Sequence, residues 1–93
     1  MADARLLVLV SLSDGPKHGY AIQADVNSFA AVYLGPGTLY GALNSLERDD
    51  LVEALPSDQR RRPYRLTQVG RHQLRDQLEE LDRIRQRAIS ALT

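Results

Sequence analysis

The chain has 93 residues, 43% of them hydrophobic, which fits one compact domain with a thin core. It has no cysteine, so disulfides, thiolate metal sites and a thiol nucleophile are excluded. The formal net charge is zero, but residues 1–55 hold three basic and seven acidic side chains, whereas residues 56–93 hold nine arginines and five acids. Because the Debye length is only about 10 Å at ~0.1 M salt, a local basic patch can bind nucleic acid despite a neutral average.

The first apolar segment, residues 5–12, predicts a helix buried on most sides, and the Asp-Gly-Pro turn at 14–16 ends it. Its apolar run is too short to span a bilayer and lacks the flanks of a signal peptide. We therefore expect no membrane contact and a cytoplasmic protein. A second helix begins at His18 and carries apolar side chains at helical spacing, with Tyr20 expected in the core.

The third helix, about residues 36–50, is predicted from Gly-Pro-Gly at 35–37, since proline suits the first helical turn. Its outward face is small and polar, as a helix needs to approach the floor of a major groove. We predict that Asn44 contacts an adenine edge and that Arg48 contacts guanine or a phosphate; an ion pair is the alternative for Arg48. The remaining candidate DNA contacts on this helix are Gly37, Thr38, Tyr40, Gly41 and Ser45, with packing against the hairpin that follows as the alternative for Tyr40.

Two short strands, residues 51–55 and 63–66, are predicted on either side of a polar turn with consecutive arginines. Each phosphate that such a hairpin neutralises steepens the salt dependence of DNA binding by about 0.9 log units per log unit of salt. The alternatives are a solvated basic turn and, for Arg65, a structural role in the strand. The candidate contacts here are Arg60, Arg61, Arg62 and Tyr64, to which Lys17 at the start of the second helix is added as a backbone contact.

Thr67 is a good N-cap for a final helix that runs from Gln68 to near Leu92. Side chains recur along it at alternating spacings of four and three, which is typical of a coiled-coil seam. A second subunit is the favoured partner for this seam, and Arg85 within it is expected to snorkel or to pair with an acid. The predicted dimerisation residues on the seam are Leu74, Leu78, Leu81, Ala88 and Leu92.

Three helices, a hairpin and a long helix follow the order of a winged helix-turn-helix fold, mainly α within the α+β class. We divide the chain into a DNA-binding part, residues 1–67, and a dimerisation helix, residues 68–93, which form one compact unit. A symmetric dimer would present this third helix twice, once to each half of its site. We therefore predict that the partner is double-stranded DNA with a palindromic operator.

Three segments also resemble PadR-type transcriptional regulators: residues 6–20, residues 35–48, and residues 61–70. The resemblance implies a homodimeric repressor, often released by a small hydrophobic effector, whose interface uses the last helix with help from Leu6 and Leu9 on the first. It also implies the smaller branch of the family, with a single terminal helix. The chain has no tryptophan, so an effector pocket of paired indole rings is not expected.

The sequence predicts no enzyme, metal site or cofactor. His18 and His72 lie on different elements, and the turn at 35–37 lacks the Gly-Lys-Ser/Thr ending of a phosphate-binding loop. Two other functions are left open: a winged-helix module that binds an acidic protein, and a small hydrolase.

Overall fold

The computed structural model describes residues 3–57 and 61–93, which form four α-helices, one 3-10 turn and three strands. In chain order these are α1 (Ala4–Ser11), a 3-10 turn (Leu12–Asp14), β1 (Lys17–His18), α2 (Gly19–Ala30), α3 (Pro36–Arg48), β2 (Val52–Ala54), β3 (Pro63–Leu66) and α4 (Gln68–Leu92). The predicted winged helix-turn-helix order with a long last helix is confirmed.

Side-chain caps fix where three of the helices begin. The Asp3 carboxylate accepts a hydrogen bond from the Leu6 N–H at 2.8 Å at the start of α1. His18 Nδ1 accepts from the Ala21 N–H at 3.4 Å before α2, and Thr67 Oγ1 accepts from the Gly70 N–H at 2.9 Å before α4. Each cap satisfies an amide that has no partner inside its helix.

The core lies where α1, α2, α3 and the sheet meet. α1 is buried along most of its length because it packs against α2, α3 and α4. The largest side chains with less than 2% exposure are Leu12, Ile22, Leu43, Leu46, Leu51, Val8, Val26 and Val52. Tyr20 does not belong to this core: it is 68% exposed, so the expectation of burial was wrong.

The hairpin of β2 and β3, which we call the wing, is part of a three-stranded antiparallel sheet of order β1-β3-β2. β2 and β3 form the predicted hairpin, with Val52 opposite Leu66. The additional strand, β1, pairs Lys17 with Tyr64 and His18 with Pro63. The short segment between α1 and α2 is therefore attached to the wing by backbone pairing.

The start of α4 is held tightly against the segment that joins α3 to β2. Thr67 Oγ1 donates to the Asp50 carbonyl at 2.6 Å, and the Thr67 N–H donates to the Leu51 carbonyl at 3.1 Å. A Cβ atom on Gly70 would overlap that same carbonyl group. α4 then leaves the core: Leu74 is 5% exposed, and every residue from Leu78 to Thr93 is exposed.

No helix in the described part of the chain is long and apolar enough to cross a membrane.

Candidate nucleic-acid interface

α3 has the two faces that its sequence predicts. Its inward face is buried and consists of Leu39, Ala42, Leu43 and Leu46. The opposite face is exposed along a single line of small and polar residues: Gly37, Gly41, Asn44 and Arg48. Pro36 occupies the first helical turn, where no side-chain cap is present, and its fixed φ supports the start of the helix.

The two glycines on the exposed line have no packing partner. No atom beyond their own helix and chain neighbours lies within 4 Å of a Cβ placed on Gly37 or Gly41. Glycine inside a helix costs roughly 0.5–1 kcal/mol relative to alanine. The fold therefore gains nothing from either glycine, and together they leave the backbone of α3 open to close approach from outside.

The long polar side chains on this line are also available. Among residues 3–57 and 61–93, Arg48 makes no ion pair and Asn44 makes no side-chain hydrogen bond. The ion-pair alternative for Arg48 is therefore not seen. Thr38 lies on a flank of the helix and is exposed.

Ser45 differs from the other candidates because it turns towards α1. Its hydroxyl accepts a hydrogen bond from Arg5 Nη1, and Arg5 Nη2 lies 3.0 Å from the Asp49 carboxylate. One guanidinium group thus contacts both the last turn of α3 and the residue that follows it. This arrangement holds α3 against α1 and leaves Ser45 little freedom to contact a base.

The arginine-rich wing is only partly described, since Arg60 lies outside the described residues. Arg61 and Arg62 are exposed, and neither has an acidic partner in the described part of the chain. Arg65 Nε lies 2.6 Å from Glu53 Oε1 on the neighbouring strand. Arg65 thus has the structural role in the strand that was its alternative, and it fills that role through an ion pair across the hairpin.

A cleft of about 220 Å³ separates the wing from the start of α2 and the start of α3. Gly19 forms part of its floor: a Cβ there would lie 2.5 Å from the Tyr40 hydroxyl, so only glycine admits that side chain. Burial, with Glu47 and Tyr40 nearby, raises the pKa of Tyr64, while Arg62 opposes the shift. The cleft is lined by His18, Gly19, Tyr20, Tyr40, Arg61, Arg62 and Tyr64.

This cleft combines residues that the sequence placed in separate roles. Tyr20, expected in the core, lines the cleft together with Tyr40 from α3 and Tyr64 from the wing. Phenol hydroxyls and guanidinium groups are donors for phosphate oxygens, so the cleft is suited to a DNA backbone. The sequence did not predict β1. The pairing of Lys17 with Tyr64 in that strand brings Tyr20 close to the wing.

Lys17 is engaged within the chain. Its ammonium group donates to the Ser11 carbonyl at 2.5 Å, pairs with Asp14 and lies 4.0 Å from Asp25. The hydrogen bond and the charge of Lys17 lower the pKa of the exposed Asp14 carboxyl. With two nearby carboxylates, this lysine offers little net charge to a phosphate.

The predicted dimerisation residues fall into two groups. Leu9 and Leu74 are buried within the subunit and have little surface left for a partner, whereas Leu6 is half-buried and packs against the same core. Leu78, Leu81, Ala88 and Leu92 are exposed on α4. Ile84 and Ile89 also lie exposed on α4, at 58% and 44%, and were not among the residues predicted for the seam.

The described residues contain no group of three or more histidine, aspartate or glutamate side chains that could hold a metal ion.

Comparison with known proteins agrees with this geometry. The transcriptional regulator PadR-like family matches residues 8–76, which include the second half of α1, the whole of α2 and α3, the wing and the start of α4. The chain belongs to the PadR-like family. PadR-like proteins are transcription regulators and not enzymes, and the family and fold together support a DNA-binding regulator.

A curated relative and two solved structures show the extent of the similarity. An uncharacterised 37.1 kDa protein in transposon Tn4556 of Streptomyces fradiae is 46% identical over 82 residues, which are 88% of this chain and 24% of that protein. A PadR family transcription regulator from Clostridium difficile R20291 is 25% identical with a TM-score of 0.86, covering 97% of this chain and 98% of its own. RosR of H. salinarum is 26% identical with a TM-score of 0.78, covering 98% and 91%.

Proposed function

We propose that this PadR-like chain is a homodimeric repressor that recognises a palindromic operator in double-stranded DNA. The observation that carries the proposal is the outward face of α3, where two glycines without a packing role lie beside Asn44 and Arg48, which have no described internal partner. In this proposal Asn44 and Arg48 read base edges in the major groove.

The small residues on α3 support a close approach to DNA. A helix with Gly37 and Gly41 facing the groove can bring its backbone nearer to the bases than one with larger side chains. Asn44 and Arg48 lie one and two turns beyond Gly41, at increasing distance from the start of the helix. The helix therefore combines a segment without large side chains with two hydrogen-bonding side chains, Asn44 and Arg48, that suit adenine and guanine edges.

The wing and the cleft supply the contacts to the backbone. Arg61 and Arg62 provide charge without a described acidic partner, and the Tyr20 and Tyr40 hydroxyls lie at the same cleft. Contacts of this kind fix the position of the protein on the duplex and contribute affinity, whereas base contacts discriminate between sequences. The wing thus governs salt dependence and α3 governs sequence preference.

The exposed apolar side chains of α4 are the reason to propose a homodimer. Leu78, Leu81, Ile84, Ile89 and Leu92 are each between 44% and 84% exposed, and burying such side chains stabilises association by about 25 cal/mol per Å² of apolar area. Residues 68–93 then serve as the dimerisation helix and residues 1–67 as the DNA-binding part. Two recognition helices about 34–36 Å apart fit successive major grooves and hence a palindrome.

A groove of about 430 Å³ between β3 and α4 is our proposed site for a small hydrophobic effector. Its apolar lining residues are Leu66, Leu74 and Leu78, and its polar lining residues are Ser13, Arg71, Arg75, Glu79 and Asp82. The volume lies within the range of small-molecule pockets. A ligand there would contact α4 and the wing together, and so bias the dimer between binding and non-binding arrangements. We place this activity in the cytoplasm, where the operator is accessible.

Selection of bound sequences from random duplexes tests the proposal directly. The expected result is an imperfect palindrome whose half-sites are one helical turn apart. Titration of salt on the selected duplex is then expected to give a steep loss of affinity, and Arg61→Ala with Arg62→Ala to flatten the slope. A flat salt dependence with no selected sequence would favour the alternative, a winged-helix module that binds an acidic protein.

A further inference from the structure

Arg5 is the residue through which α1 holds the C-terminal end of α3. Its Nη1 donates to the Ser45 hydroxyl, and its Nη2 lies 3.0 Å from Asp49 Oδ2. The backbone below the arginine is itself fixed, because Asp3 caps the first turn of α1. In residues 3–57 and 61–93, no other side chain of α1 forms a hydrogen bond or an ion pair with a side chain of α3 or of its C-cap.

The two positions that Arg5 contacts define the rotation of α3 about its own axis. Ser45 and Asp49 are four residues apart, and the Asp49 N–H donates to the Ser45 carbonyl at 3.1 Å, so both lie on the same side of the helix. Each comes directly after one of the proposed base-reading residues, Asn44 and Arg48. Because successive helical residues are separated by a constant angle, fixing positions 45 and 49 also fixes the direction of positions 44 and 48.

The remaining contact between α1 and α3 controls this rotation less well. The two helices otherwise share the apolar core, to which Val8 and Leu43 belong, and hydrophobic contact is non-directional. A guanidinium group with two fixed acceptors is directional. A rotation of about 10° moves a group about 6 Å from the helix axis by about 1 Å, whereas a binding site has to be held within about 0.5 Å.

The stability of the fold does not account for the pair of Arg5 and Asp49. Asp49 is the C-cap of α3, and an acidic side chain at this end of a helix opposes the helix dipole. The two side chains are 35% and 53% exposed, and ion pairs with this exposure contribute little to stability. What the pair does provide is a fixed orientation of the last two turns of α3.

We propose that Arg5 is a positioning residue for sequence recognition, which sets the rotation of α3 and thereby the direction in which Asn44 and Arg48 enter the major groove. The inference rests on the proposed recognition of DNA by α3 and assigns part of its accuracy to a residue outside that helix. Arg5 contacts no base in this arrangement. Its loss lowers the discrimination between sequences and leaves the general attraction to DNA, which the wing supplies.

Two variants that change the charge in opposite directions test this role. Arg5→Gln removes a positive charge and Asp49→Asn removes a negative one, so a purely electrostatic effect on DNA binding has opposite signs in the two variants. We expect both to lower the ratio of the affinities for the selected duplex and a random duplex about tenfold. The double variant should lose about as much as either single one, because both act through one contact. Arg87→Gln, exposed on the second half of α4, is the charge-matched control and should keep the ratio.

The salt dependence of binding separates positioning from direct contact. The slope for Arg5→Gln should equal that of the natural chain on both duplexes. A slope lower by about one unit, with equal loss of affinity on both duplexes, would make Arg5 a phosphate contact and overturn the proposal. A ratio within twofold of the natural one in the folded variants would overturn it as well. Urea unfolding identifies the folded variants, and Asp49→Asn decides alone if Arg5→Gln is unfolded.

A measurement without DNA keeps this inference apart from the proposed function. Residual dipolar couplings of the backbone N–H groups vary periodically along a helix, and the phase of this variation reports its rotation. Arg5→Gln is expected to shift or weaken the variation along α3 and to leave that along α2 unchanged. Natural couplings throughout α3 would refute the positioning role. A natural chain that binds all duplexes equally would refute the proposed function, whatever the couplings show.

Discussion

Gly70 lies directly against the carbonyl group of Leu51, so that a Cβ atom at position 70 would overlap the oxygen and stand 2.9 Å from the carbonyl carbon. The same carbonyl accepts the Thr67 N–H at 3.1 Å. The first turn of α4 is therefore packed onto the segment between α3 and β2, and moving the two apart would break the hydrogen bond from the Thr67 N–H to the Leu51 carbonyl.

Gly70→Ala is expected to destabilise the fold, because the methyl group meets backbone and not a flexible side chain. Overpacking of this kind costs about 1–3 kcal/mol, which equilibrium unfolding in urea measures. Gly41→Ala is the matched control, since its Cβ enters open space. Equal stability of the Gly70→Ala variant and the natural chain would show that the close contact is relieved at no cost.

Gly41→Ala is expected to change stability and DNA binding in opposite directions. The folded chain should gain about 0.5–1 kcal/mol from the higher helix propensity of alanine. Affinity for the selected duplex should fall roughly tenfold or more, because the added methyl group enters a tightly packed interface. Ser90→Ala, on the exposed second half of α4, should stabilise the helix and leave DNA affinity unchanged. If Gly41→Ala bound DNA as the natural chain does, α3 would not approach the groove closely.

Asn44→Ala and Arg62→Ala are expected to weaken DNA binding in different ways. Loss of Asn44 should cost about 1–3 kcal/mol on the preferred duplex and relax the preference at one position of each half-site. Loss of Arg62 should weaken binding to all duplexes alike and lower the salt slope by about one unit for each phosphate that is no longer neutralised. Competition binding with single-base operator variants at two salt concentrations measures both effects. Reversed behaviour of the two variants would exchange the roles of helix and wing.

Lys17→Gln is expected to raise the pKa of Asp14 towards the usual value of an aspartate, because the neighbouring ammonium lowers it. The lowered pKa means that the charged pair contributes to stability above the unfolded pKa and that this contribution disappears as the pH falls through the folded one. An NMR titration of the Asp14 carboxyl measures the change, with Asp25→Asn as the control. The salt slope of DNA binding by Lys17→Gln should equal that of the natural chain; a lower slope would make Lys17 a phosphate contact.

The elements that the sequence predicts correctly are those with a strong local pattern. α3 can be placed because the proline at its start and the apolar positions Leu39, Leu43 and Leu46 agree. α4 can be placed because Thr67 caps it and its charges leave an apolar stripe. The order of these elements is sufficient for the fold class.

What could not be predicted depends on pairing between distant residues. β1 has two residues, too few to show alternation, and only its partner strand defines it. Tyr20 is adjacent to buried Gly19 in the sequence, yet β1 turns it towards the wing. Gly70 departs from the capping-box pattern in the sequence, and its reason is the Leu51 carbonyl, nineteen residues earlier in the chain. The partners of Lys17 likewise come from the turn before it and from α2.

The tight junction at Thr67 and Gly70 has a consequence for how the proposed dimer measures DNA. Because α4 continues from the sheet without a hinge, each DNA-binding part is fixed to one end of a rigid rod. The angle at which the two α4 helices cross in the proposed dimer then sets the distance between the two α3 helices. Because no flexible linker joins α4 to the rest of the chain, the dimer could not adapt to base pairs inserted between the two half-sites of the operator. In the proposed dimer, the packing of α4 would therefore determine which spacing of half-sites the protein can bind, and a change in that packing would change the spacing.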